Sequence, residues 1–233
     1  MHPATPLMAH ELKFDFRQSA ALASALVPMM GVWLLNGWYL PLLAAIDIRL
    51  FWAADILQWV VLPVALLWPL ATVASIPPRC YGLCSPRFGP IELALKSAAV
   101  FATAGIAFVI TRNLVWRIFG PNPGSFYIAP HFPAEWWGAL ARVYASVSAG
   151  LVESIFFIGI PWLLYAGNSS RPSPHRFAVA MSALFALAHW EQGCAVATGA
   201  FFSHLILCAW FLRWRTLWPV ASGHALIDAV SLG

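Results

Sequence analysis

Glu153, His189, His224 and Asp228 are four polar side chains set in stretches otherwise apolar enough to cross a membrane. An ionisable group at bilayer depth costs several kcal/mol, so those that occur there usually face a protein interior or an aqueous cavity and mark function. Glu153 lies in Leu151-Val-Glu-Ser-Ile-Phe-Phe-Ile-Gly159, where a carboxylate held away from bulk water suits general-base chemistry. The competing role is a carboxyl hydrogen-bonded to a neighbouring helix. His189 closes Phe185-Ala-Leu-Ala-His189-Trp190; its plainer role is an interfacial anchor beside tryptophan. His224 and Asp228 stand at i and i+4 on one helix face, so the carboxylate can orient the imidazole or the two can form a structural pair. Four such groups on three segments predict one site.

Those residues need a scaffold in lipid. Hydrophobic residues make up 61% of the 233 positions and charged ones 9%, against about 25% charged in soluble domains, and mean hydropathy is +0.75. With about 20 apolar residues per crossing, seven segments emerge: 19–40, 51–75, 93–111, 138–165, 175–190, 195–212 and 216–231. Pro77-Pro78, the Pro121-to-Pro133 stretch and Arg171-Pro172-Ser173-Pro174 punctuate them. The expected fold is an all-α membrane bundle of about seven transmembrane helices. It forms a single domain over 1–233, with the site in the last four helices. The polar stretch His2 to Gln18 has no cleavage-type ending, so no signal peptide is expected there.

Loop charges predict orientation. With a cytoplasmic N-terminus (1–18), the inner connections hold Lys13, Arg17, Arg79, Arg87, Lys96, Arg171, Arg176, Arg213 and Arg215. The outer ones hold Arg49, Arg112, Arg117 and Arg142, which favours N-in and C-out. The +4 net charge reflects this asymmetry and calls for no nucleic-acid partner. Cysteine labelling in intact cells, with the native cysteines replaced, should modify a probe at Ser125 and spare one at Ser173. The reverse pattern would turn the bundle over.

Other polar residues read as structural. Cys80 and Cys84 form a C-x3-C pair without further ligands nearby, and Cys194 and Cys208 sit in apolar surroundings. His204 either lines the same cavity or packs a helix by hydrogen bonding. Glu92 and Lys96 form an interfacial i,i+4 pair, Asp47, Arg49 and Asp55 flank a loop, and Trp136, Trp137, Trp214 and Trp218 mark membrane interfaces.

Order and spacing from Glu153 to Asp228 resemble the CAAX prenyl protease and bacteriocin-processing (CPBP, or Abi) family of intramembrane endopeptidases. The family's motifs run E-E-x-x-x-R, F-x-x-x-H and H-x-x-x-N/D on successive helices. This chain offers Glu153-Ser-Ile-Phe-Phe-Ile158-Gly159, Phe185-Ala-Leu-Ala-His189 and His224-Ala-Leu-Ile-Asp228, and Leu212-Arg-Trp-Arg-Thr-Leu-Trp-Pro219 resembles the linker into the last helix. The resemblance covers about 138–231. Ser154 stands where the second glutamate is usual and Ile158 where the arginine is, so a supporting ion pair is missing as a unit.

The resemblance implies that Glu153, assisted by His189, activates a water against a peptide carbonyl, while His224, positioned with Asp228, stabilises the oxyanion. It also implies a metal-free site with no cofactor, although two histidines and two carboxylates match the ligand types of a divalent metal. The implied substrate is a membrane-anchored protein or peptide: a prenylated tail, a precursor or a sorting tag. The implied location is the bacterial inner membrane. Two other classes remain open, a carrier whose buried residues relay protons or cations and an inactive scaffold that keeps the fold to bind a partner, such as an immunity protein.

Overall fold

A computed structural model describes residues 14–84, 88–120, 124, 131–133 and 136–232. Lys13, Arg87, Ser125 and most of the Pro121-to-Pro133 connection lie outside the described residues. Among those described, the chain forms seven helices and no strand: α1 (Phe16–Ile46), α2 (Ile48–Thr72), α3 (Pro90–Phe119), α4 (Trp137–Asn168), α5 (Pro174–Leu187), α6 (Cys194–Trp214) and α7 (Trp218–Ser231). Each expected segment overlaps one of them, in order.

Five of these helices, α1 to α4 and α6, are long and apolar enough to cross a membrane, which makes this a multi-pass membrane protein. The expectation of about seven membrane-length helices is corrected for α5 and α7, which have 14 residues each. Hydropathy carried the fifth segment through Trp190, but the helix stops at Leu187. His189 leaves helical geometry, a 3-10 turn follows at Trp190–Gln192, and Gly193 takes φ 89°.

Local chemistry sets the ends. Asp15 accepts from the Gln18 backbone N–H while the Gln18 side chain returns to Asp15, a capping box that starts α1. Asp47 breaks the chain between α1 and α2 in extended geometry and caps α2 through the Arg49 N–H at 2.8 Å. Proline lies in the first turn of α3, α5 and α7, where its missing N–H costs no helical bond. Inside α2 and α4 the sequence forces a different solution. Pro63 and Pro161 each follow a π-helical turn, Leu57–Val61 and Ser154–Gly159. Proline has no N–H to donate and crowds the carbonyl four residues back, and a widened turn accommodates both effects.

Small residues bring the C-terminal helices together. A Cβ on Gly150 would meet Ala225 N at 2.6 Å and Ala221 O at 2.8 Å, so α4 touches the α7 backbone directly. Gly223 meets Val100 and the Ser97 carbonyl of α3, and Gly199 of α6 meets Phe108 of α3. Lipid offers no hydrophobic drive between helices, so such close backbone approach is what holds them.

The two ends of the bundle are distinct. At one, Ser19 Oγ pairs with Asn168 Oδ1 at 3.0 Å, Leu217 N–H donates to Gly82 O at 2.8 Å, and the Arg215 guanidinium covers Trp162 at 4.5 Å. Arg17, Arg79, Arg171, Arg176 and Arg213 belong to this end, as the loop-charge pattern predicts for one side. At the other, Trp190 Nε1–H donates to Leu34 O at 3.0 Å, and Phe51 stacks on His131.

Candidate active site

Glu153, His189, His224 and Asp228 all line one cavity of about 200 Å³. Glu153 ends the regular part of α4, at the last position before the π-helical turn, and Gly150 one turn earlier lets α7 approach on the same face. The approach points are Ala221 and Ala225, which flank His224. As a result His224 Nε2 lies 3.3 Å from Glu153 Oε2 and 3.9 Å from Asp228 Oδ2, with both Glu153 and His224 buried. The i,i+4 spacing of His224 and Asp228 therefore places a carboxylate beside the imidazole.

His189 is fixed by its own helix end. Its Nδ1 lies 2.8 Å from the Phe185 carbonyl, which can only accept, so Nδ1 carries a proton and in the neutral ring Nε2 is the nitrogen left to accept. The Phe185 ring contacts three imidazoles, at centroid distances of 4.5 Å to His189, 4.4 Å to His204 and 5.8 Å to His224. His204 is the packing histidine of its two readings. It is buried, its Nδ1 sits 3.1 Å from Ser182 Oγ and 3.5 Å from Cys208 Sγ, and it does not line the cavity.

Ser154 and Ile158 contribute no charge. Ser154 Oγ–H donates back to the Gly150 carbonyl at 2.6 Å, and Ile158 is fully buried in the apolar core. A neutral hydroxyl satisfied by its own helix and an apolar side chain leave nothing uncompensated there.

Sequence reasoning missed part of the wall. The site was expected within the last four helices, yet Asn36 and Leu40 of α1 and Asp55, Gln58 and Trp59 of α2 also line the cavity. Asp55 does not flank a loop. It lies within α2, 1% exposed, with the Tyr39 and Tyr144 hydroxyls among its polar neighbours. Gln58 is buried and accepts from the Tyr39 hydroxyl. Glu191 also faces the cavity from the turn between α5 and α6, packed on Gly37, where a Cβ would meet its own Cβ at 2.5 Å. Burial pushes the Glu191 carboxyl above the usual range, with nearby His189 working the other way. The available signal was two acids in otherwise apolar runs. Among the described residues, no three His, Cys, Asp or Glu side chains assemble as a metal-ligand set.

Residues 135–230 match the family described as type II CAAX prenyl endopeptidase Rce1-like. No curated protein and no solved structure matches the chain.

Proposed function

Because residues 135–230 form a domain of the Rce1-like type II CAAX prenyl endopeptidase (CPBP) family, we propose that the protein is an intramembrane endopeptidase with Glu153 as its general base. The observation that carries this is the 3.3 Å contact of Glu153 with His224 inside a cavity that His189 and Asp228 also line. Glu153 takes a proton from a water whose oxygen bonds to the peptide carbonyl carbon. His189, with Nδ1–H held by Phe185, offers Nε2 to the same water. His224 donates from Nε2 to the developing oxyanion, and Asp228 orients it. Glu153 then gives its proton to the departing amine as the C–N bond breaks. No covalent intermediate is required, and no metal enters any step.

The substrate class follows from placement. All of 1–233 acts as one unit, with α5 and α7 held among the five longer helices. The cavity lies toward the end that bears the His189-to-Gln192 turn and the end of α7. With the N-terminus cytoplasmic, that end faces outward, which fits a membrane-anchored precursor or sorting tag better than a cytosolic prenylated tail. Ser154→Ala removes only a local bond worth about 1 kcal/mol, so the cleavage rate should change by less than about fivefold.

The test uses the full-length protein in proteoliposomes with a library of membrane-anchored peptides, read by mass spectrometry. Defined cleavage products are expected. Proton or cation flux without cleavage would replace this reading with a carrier, and neither activity would favour the inactive scaffold to which Ser154 and Ile158 point.

A further inference from the structure

Taking the endopeptidase reading as its basis, we propose that Asp55, with Asn36 and Gln58, forms a subsite for an arginine side chain of the substrate beside the bond to be cleaved. Among the described residues, the cavity lining carries four carboxyls, Asp55, Glu153, Glu191 and Asp228, and neither lysine nor arginine. Three of them have histidine nearby. Glu153 and Asp228 face His224, and Glu191 lies within electrostatic reach of His189. Asp55 is different, with tyrosine hydroxyls as its polar surroundings.

A second observation points to a ligand. Asp55 is 1% exposed, and its Oδ2 has no hydrogen-bond partner among the described residues; the same holds for Asn36 Oδ1 and Gln58 Nε2. All three residues line the same cavity as Glu153, His189, His224 and Asp228, Asn36 from α1 and Asp55 and Gln58 from α2. Orphaned buried polar atoms are costly, so a site that keeps them is completed by a ligand that brings the complementary groups. A guanidinium supplies a planar fork of donors, and its charge strengthens each bond to a carboxylate. The Asp55 and Asn36 oxygens accept from it, and Gln58 Nε2–H donates to a backbone carbonyl of the same substrate residue. Because Glu153 lines the same cavity, a chain bound here has its peptide bonds within reach of the base.

The test compares membrane-anchored reporter peptides that carry arginine or citrulline, its neutral isostere, at each of the three positions on either side of the cut. The wild-type full-length protein should cleave the best arginine reporter with a kcat/KM about tenfold or more above its citrulline twin. Asp55→Asn should bring that ratio close to one. Equal cleavage of the arginine and citrulline reporters at every position overturns the subsite and leaves the endopeptidase standing. No cleavage of any reporter removes both. The citrulline comparison alters only the substrate, so it decides the matter even if Asp55→Asn does not fold.

Discussion

Glu153→Gln should lower turnover by about 10²- to 10⁴-fold, the range for loss of a positioned general base. The substitution keeps size and shape, and its amide oxygen can still accept from His224 Nε2, which lies 3.3 Å from Glu153 Oε2 in the wild type. What disappears is the ability to take a proton from water and pass it to the leaving amine. Expression and the elution profile in detergent should be unchanged, because a buried carboxyl is exchanged for a neutral group of the same volume. Single-turnover cleavage in proteoliposomes gives the answer. Wild-type rates in Glu153→Gln would end the glutamate mechanism.

Gly150→Ala should be nearly as damaging, although its methyl group touches no proposed catalytic atom. That methyl would sit 2.6 Å from Ala225 N and 2.8 Å from Ala221 O, both backbone atoms that cannot rotate away. Relief requires α7 to move outward, carrying His224 away from Glu153. A displacement of about 1 Å at a reacting group can cost about 100-fold in rate, and overpacking of this kind destabilises by about 1–3 kcal/mol. Cleavage should therefore fall by about two orders of magnitude in a protein that still purifies with a modestly lowered Tm. Wild-type cleavage by Gly150→Ala would mean that the contact between α4 and α7 does not set the geometry of the site.

The sequence made the helices legible because apolar runs of membrane length leave few alternatives, and the prolines marked where they stop. It also made the neighbourhood of His224 and Asp228 legible, since i,i+4 spacing fixes a shared face without any tertiary information. Asp55 and Gln58 were lost for the opposite reason. Their contacts are with Tyr39 and Tyr144, on two other helices, and no local period encodes such a meeting. Glu191 was overlooked because it falls in the short connection between residues 190 and 195, where a polar residue is ordinary and nothing local signals a side chain turned into the cavity. The π-helical turns were invisible too. Pro161 signals a disturbance in α4, but whether the helix kinks, stops or widens depends on the packing around it.

The 14-residue lengths of α5 and α7 bear on how water would reach the proposed site inside a bilayer. At 1.5 Å per residue each rises about 21 Å, against a hydrocarbon layer of about 30 Å. Lipid beside them must compress or tilt to cover the deficit, a mismatch whose cost is a fraction of a kcal/mol per ångström. Leu187 near one end of α5 and Val230 near the end of α7 are both largely exposed, so bilayer contacts this stretch of the surface directly. A bilayer thinned to match these helices would bring its headgroup layer toward the plane of His189 and Asp228. On the endopeptidase reading, such thinning would shorten the path of the water that Glu153 activates, with no channel bored through the protein.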